Sequence, residues 1–262
     1  SFFDTADVYG AGRSETFIGS FLRSQRDDVF VATKLGRGAD PGWPENFTAE
    51  NMIKHTEASL TRLGLERLYL LQLHCIPRDV MAEGAVFDTL RLLKKQGKIE
   101  HFGASVETVE EGLLCLEQDG IASLQVIFNI FRQKPIKELF TKAQEKNVSI
   151  IARVPLASGL LTGTMSKATT FGKSDHRNFS RDGASFNVGE TFAGVPFEKG
   201  VDLSEELSSM KPEGLTLAQM ALRWILDFDA VTVVIPGASR REQVKANASI
   251  SALGIHRRST VW

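Results

Sequence analysis

Short apolar runs rich in β-branched and aromatic residues alternate along the chain with longer stretches whose apolar positions recur every three to four residues. The short runs are Phe2-Phe3, Val29–Thr33, Leu68–Leu73, Ile99–Gly103, Leu124–Ile127, Val148–Ala152 and Val231–Ile235. Each is mostly apolar rather than alternating, which predicts strands covered on both faces. The longer stretches predict helices over Glu15–Leu22, Thr48–Leu63, Ala85–Lys95, Thr108–Glu117, Ile136–Lys146, Leu215–Leu226 and Arg241–Leu253. Thr48 stands where a helix starts and Gly64 where it stops. Lysines close the third helix, as the helix dipole favours. Strand–helix alternation of this kind predicts parallel strands joined by crossover helices.

Two stretches break the alternation. Gly36–Asn46 carries Gly, Pro and Trp43 directly after a strand, and 162–200 is rich in Gly, Ser, Thr, Phe and Asn. Long irregular segments inside a compact domain are usually functional lids or disordered inserts. Loops that follow strands build the active site of an α/β barrel. No break in composition divides the chain, so a single domain over 1–262 is expected.

Composition narrows the function classes. With 42% hydrophobic and 24% charged residues among 262, a disordered chain is ruled out. A net charge of −1, from 31 Lys+Arg against 32 Asp+Glu, offers no basic surface for nucleic acid or an anionic membrane. No apolar stretch reaches the length of a membrane span. Cys75 and Cys115 lack metal-ligand spacing, and a reducing cytoplasm is the expected compartment.

The polar residues at the carboxyl ends of the strands carry the candidate chemistry. Asp4 follows the first strand, Lys34 the second and His74 the third, with Ser105 after the fourth and Gln125 in the fifth; Tyr9 lies five residues beyond Asp4. A phenol alone is a poor proton donor at neutral pH. An adjacent ammonium favours its phenolate, and a carboxylate holds that ammonium in place. A histidine nearby can hydrogen-bond a carbonyl oxygen. Singly, Asp4 reads as a turn former, Lys34 as a solvated charge, His74 as a core histidine and Tyr9 as a packing residue. Their co-occurrence at successive strand ends favours a site that protonates a carbonyl oxygen while hydride reaches its carbon.

These residues also carry a resemblance. Phe3-Asp4-Thr5-Ala6-Asp7-Val8-Tyr9-Gly10 with Ser14-Glu15, then Thr33-Lys34, Leu71-Gln72-Leu73-His74, Pro155–Gly163 and Val234–Ala238, resemble the successive motifs of the aldo-keto reductase superfamily. The bacterial-type and potassium-channel-β-like branches are the most similar. The resemblance covers nearly the whole chain. It implies a (β/α)8 TIM barrel that binds NADP(H), with NAD(H) as the alternative, and acts on a small-molecule aldehyde or ketone. Tyr9 would be the general acid, Lys34 and Asp4 its tuning pair, and His74 the group that orients substrate. Ser105 and Gln125 would hold the nicotinamide carboxamide. Pro155, Leu156, Ser158, Gly159, Leu160 and Gly163 would cradle the pyrophosphate. Pro236, Gly237, Ser239 and Arg240 would lie by the adenosine phosphate, with Gln243 and Asn247 near the adenine.

The chain departs from the family pattern at several positions. Val106 stands where Asn is frequent, Arg153 where an aromatic ring stacks on the nicotinamide, Thr164 where Lys is frequent, and Gln243 where an arginine often meets the 2′-phosphate. Arg177, Arg181, Arg240 or Arg241 could supply that charge. Members also carry an N-terminal hairpin, first strand and first helix, roughly 40 residues at usual βα sizes. The expectation is therefore a barrel incomplete at its N-terminus, with seven of eight strands visible. Two alternatives to an active reductase stay open: a cofactor-sensing regulatory protein of the same fold, and a non-functional fragment. Trp43, Phe47, Phe171, His176 and Phe179 are candidates for an apolar substrate pocket.

Overall fold

The computed structural model describes residues 1–24, 28–179 and 188–252. The described chain forms two compact units, residues 1–125 with 141–149, and residues 126–140 with those from 150 onward.

The first unit is built from β1 (Phe2–Asp4), α1 (Arg13–Leu22), β2 (Phe30–Leu35), α2 (Ala49–Leu63), β3 (Leu68–His74), α3 (Arg78–Glu83), α4 (Ala85–Lys95), β4 (Ile99–Ser105), α5 (Val109–Leu116) and β5 (Ile121–Ile127), whose last two residues belong to the second unit. The strands are parallel and neighbour one another in chain order. The register matters for function. Lys34 lies opposite Gln72, Gln72 opposite Gly103, His74 opposite Ser105 and Ser105 opposite Gln125. Polar side chains from four strands are thus brought to one end of the sheet, while Val31, Leu71, Leu73, Phe102 and Leu124 are buried below them.

Local chemistry fixes the helix ends. The Thr48 hydroxyl accepts from the Asn51 amide, and Gly64 takes the left-handed conformation that ends α2. Thr108 and Glu111 cap each other's backbone at α5. At Gly19, α1 meets the end of α2 so closely that a Cβ would lie 2.5 Å from the Arg62 carbonyl oxygen.

The second unit holds β6 (Ser149–Arg153, its first residue in the first unit), α7 (His176–Phe179), α8 (Phe197–Met210), α9 (Leu217–Leu226), β7 (Val231–Val234) and α10 (Arg241–Ser249); α6 (Leu139–Glu145) runs from this unit into the first. Strands β6 and β7 pair in parallel. One core gathers Ala157, Leu160, Leu161, Phe192, Phe197, Val201 and Ala221. A second stacks Phe128 on Trp224 and meets Phe140 and Phe228 edge-on.

Seven strands and the strand–helix alternation stand as expected, with boundaries shifted. Lys34 lies inside β2 rather than after it. The helix expected over Ile136–Lys146 is broken, because Pro135 opens a one-turn 3₁₀ segment at Lys134–Lys137 and Glu138 leaves helical geometry before α6. Arg241–Leu253 stops being α-helical at Ser249. Two helices, α3 and α8, carry no strong 3.6-residue signal. The irregular segment 162–200 is not a lid at its distal end: Phe192 and Phe197 are core residues, and Phe171 packs on both. Phe171 is therefore a packing residue rather than part of a pocket wall. Arg181 lies outside the described residues, as does the side chain of Phe179.

Gly19→Ala should cost about 1–3 kcal/mol, because two backbone carbonyls rather than a flexible side chain must give way. Chemical denaturation would read it as a lower midpoint at unchanged slope.

Candidate active site

The centre of the first unit is a buried cation. The Lys34 ammonium is 1% exposed and donates to Asp4 Oδ2 at 2.5 Å and to the Thr5 carbonyl at 2.9 Å. A buried ammonium without a carboxylate would shed its proton or unfold its surroundings, so the pair stands or falls together. The other Asp4 oxygen, Oδ1, accepts from Gln125 Nε2 at 2.8 Å and Gln72 Nε2 at 3.3 Å. Both carboxylate oxygens are thereby aimed and saturated by three different strands.

Tyr9 stands over this pair. Its ring centre is 5.2 Å from the Lys34 ammonium and 5.9 Å from the His74 ring, which meets it edge-on. Lys34 and His74 are buried, whereas Tyr9 is 44% exposed, so a protein-held cation sits beneath a phenol reachable from solvent. The loop that carries Tyr9 is pinned at both ends. Thr5 N–H donates to the Ala32 carbonyl and Asp7 N–H to that of Lys34, while Tyr9 donates to Ala6 and accepts from the Ser14 amide. Beneath α1, the fully buried Glu15 accepts from Thr33 Oγ1 at 2.5 Å and Arg62 Nε at 2.6 Å.

The structure therefore brings Asp4, Tyr9, Lys34 and His74 together. Ser105 and Gln125 adjoin them, with Ser105 Oγ 3.5 Å from Gln125 Oε1. Gln125 spends its amide N–H on Asp4, leaving Oε1 as its main polar face. Gln72 is the participant that sequence reading passed over. The signal lay in the polar residue two before His74, within a run otherwise of Leu and Tyr.

Asp7 behaves differently from Asp4. Burial, reinforced by Glu15, pushes its carboxyl up to about 6, against the pull of Arg62 and Lys34. Cys115 is a buried thiol that burial pushes up to about 12, a packing group rather than a nucleophile.

In the second unit the residues after β6 form a strained turn. Val154, Ala157 and Ser158 all have positive φ, as does Gly159 at +105°. Pro155 and Leu160 are buried, and Leu156 is half-buried. The turn is bonded internally: the amides of Ala157, Gly159, Leu161 and Gly163 donate to the carbonyls of Val154, Leu156, Leu156 and Leu160, respectively. Gly163 ends the turn, also left-handed. The Ser158 hydroxyl is already engaged: it donates to the Glu190 carbonyl at 2.8 Å and accepts from the Phe192 amide at 3.3 Å. Arg153 pairs with the Glu190 carboxylate. Its guanidinium is held by a neighbouring segment rather than presented as a bare stacking plane.

After β7, Pro236, Gly237, Ser239 and Arg240 lead into α10, and Asn247 lies half-buried on that helix. Gln243 Oε1 accepts from the Ser239 amide, the Ser239 hydroxyl and the Arg240 amide, so Gln243 caps its own helix. Arg240 and Arg241 are exposed at that N-terminus, where the helix dipole also favours anions. Arg177 is committed to Asp175 through two nitrogens and lies over the Phe171 ring. The α10 N-terminus, with its exposed arginines, fits a phosphate of a dinucleotide by the chemistry of its donors.

A family model described as the Aldo/keto reductase family matches residues 1–257. An uncharacterized oxidoreductase, YqkF of Bacillus subtilis, is 28% identical over 254 residues, covering 94% of this chain and 76% of that protein. The aldo-keto reductase yakc [NADP(+)] of Schizosaccharomyces pombe is 24% identical over 256 residues, 94% of this chain and 72% of that one. Among solved structures, the holo form of aldo-keto reductase AKR11C1 from Bacillus halodurans aligns with a TM-score of 0.74 at 28% identity, covering 97% of this chain and 77% of that one. That likeness, with the parallel strands, bears out the TIM-barrel class that the resemblance implies.

Two measurements test the site. Lys34→Met should cost about 3–5 kcal/mol by stranding Asp4, and adding Asp4→Asn should recover part of it. A double variant that loses the sum of the two single losses would show that the pair is not coupled. The raised Asp7 carboxyl makes folding more favourable when protonated. Its contribution is therefore full below about pH 4 and lost as pH rises through about 6, by up to about 3 kcal/mol. Asp7→Asn should flatten that window in pH-dependent denaturation.

Proposed function

Because the chain belongs to the aldo/keto reductase family, we propose that it is an NADP(H)-dependent reductase of aldehydes or ketones, residues 1–262 acting as one catalytic domain. The observation that carries this reading is the buried Lys34–Asp4 pair beneath the exposed Tyr9 ring and beside His74. The pair sets a held positive charge next to a solvent-reachable phenol, the arrangement a proton-delivering site needs.

In this reading Tyr9 gives its phenolic proton to the substrate carbonyl oxygen. The transient phenolate is stabilised by the Lys34 ammonium, which stays charged because Asp4 Oδ2 faces it in a dry site. Gln72 and Gln125 keep the Asp4 carboxylate from rotating away. His74, buried at the end of β3, orients the carbonyl oxygen toward Tyr9. The bound nicotinamide supplies the hydride. In the second unit, the N-terminus of α10 and the turn at Val154–Gly163 would hold phosphate; in the first, Ser105 and Gln125 Oε1 would meet a carboxamide. Support for NADP(H) over NAD(H) comes from exposed Arg240 and Arg241 and from the yakc relative's name, since Gln243 is an acceptor turned inward. A soluble cytoplasmic setting is part of the same proposal; among the described residues no helix is long and apolar enough to cross a membrane.

Titrating the purified chain with NADPH and, separately, NADH while following tryptophan fluorescence should give saturable quenching, stronger for NADPH. Tyr9→Phe should then lower carbonyl turnover by about 10²-fold or more with NADPH affinity retained. Failure of a folded chain to bind either nucleotide would sink the reading. Parallel loss of binding and turnover in Tyr9→Phe would make Tyr9 structural.

A further inference from the structure

Between the Tyr9 loop and α2 lies a pair of buried groups that the proposed chemistry does not use. His55, on α2, places Nδ1 3.9 Å from Asp7 Oδ2, and its Nε2 lies 3.0 Å from the Asp40 carbonyl. Both side chains are close to fully buried, at 12% and 9% exposure. Neither Asp7 Oδ1 nor His55 Nδ1 has a hydrogen-bond partner among the described residues. Asp40 belongs to the Gly36–Asn46 loop. That loop is stapled internally by Asn46, whose amide donates to the Gly36 and Gly38 carbonyls, and Arg37 ties it to Glu107. His55 is the group that also faces the Tyr9 loop.

The proton inventory is constrained. A carbonyl only accepts, so Nε2 must carry the hydrogen shared with Asp40. Nδ1 then presents either a lone pair or a second N–H to Asp7. Against a carboxylate, a lone pair leaves two buried acceptors face to face, a repulsive and unsatisfied arrangement. One proton between them, on nitrogen or on oxygen, makes the contact attractive in either form.

We propose that Asp7 and His55 share one proton and act as a positioning pair, coupling the Gly36–Asn46 loop to the loop that carries Tyr9. Removing that proton uncouples the loops. Asp7 feels Glu15 from α1, Arg62 from α2 and Lys34 from β2, and accepts from the Val8 backbone N–H. Burial and Glu15 favour retention of its proton, while the Val8 bond and the two cations oppose it, leaving the Asp7 carboxyl at about 6. The inference extends the reductase reading to the control of Tyr9, but the coupling itself is measurable without substrate or nucleotide.

Hydrogen exchange of the unliganded chain, corrected for intrinsic rates, tests it. Protection of residues 36–47 should fall severalfold between pH 5.5 and pH 8. His55→Gln keeps a donor for the Asp40 carbonyl but cannot hold the proton, and Asp7→Asn cannot titrate. Both should abolish the pH step, whereas a purely structural histidine would let Gln behave as wild type at both values. Persistence of the step in both variants, or its absence from wild type, overturns the proposal. Should the variants not fold, carbon-detected NMR of the wild-type chain decides. His55 and Asp7 should show common, coupled titration steps, and a single ordinary histidine step with no matching change at Asp7 overturns it. Because neither readout needs turnover, failure of the reductase reading leaves this test intact.

Discussion

A lysine with 1% of its side chain exposed is an expensive thing to put inside a protein, and the first unit is organised around satisfying it. The carboxylate that does so comes from β1, while the amides that fix that carboxylate come from β3 and β5. The ion pair therefore reads out the register of a whole run of strands. Slip one strand by a single residue and its polar side chain turns to the other face, leaving the cation or the carboxylate alone. Burial raises the cost of such an error and at the same time strengthens the field at Tyr9, because the same low-dielectric surroundings govern both. Stability and proton chemistry are linked here through one contact.

The second unit stores backbone strain in the tight turn after β6. Val154 is β-branched and left-handed, a conformation costing of order 1–3 kcal/mol. Phe192 and Ala193 share that region of conformational space. What holds these turns is an interlocking set: Ser158 bonded to the Glu190–Phe192 backbone, Arg153 paired with Glu190, and Phe192 packed against Phe171 and Phe197. Arg153, out of place beside a family pattern that has an aromatic, is the anchor of this set. Its partner is a residue 37 positions away that no local pattern would have linked to it.

Periodicity made the alternating strands and helices legible, since doubly covered strands must be apolar throughout and their crossover helices must be amphipathic. The clustered Asp4, Lys34 and His74 were legible because each stands at or near a strand end, where an ionisable group breaks an apolar run. Gln72 was not, being neutral and one polar residue inside a strand; only the register shows that it meets Asp4. Helix α8 was missed because Gly, Ser and Glu dilute its buried face to Phe197, Gly200, Val201 and Ser204. The broken helix near Pro135 was overread because apolar spacing continues across a backbone break. Gln243 is expected near the adenine; that its side-chain oxygen also caps α10 shows only in the structure.

Asp4 closes β1 and Asp7 lies three residues further on, in the loop that follows; the two carry the same functional group and meet opposite surroundings. Asp4 faces an ammonium and two amide donors, every one of which favours its charge. Asp7 faces a buried glutamate and an unprotonated or protonated imidazole, with one oxygen lacking any donor among the described residues. One carboxylate thus meets donors while its neighbour meets burial and a like charge, and surroundings rather than residue type decide how each behaves.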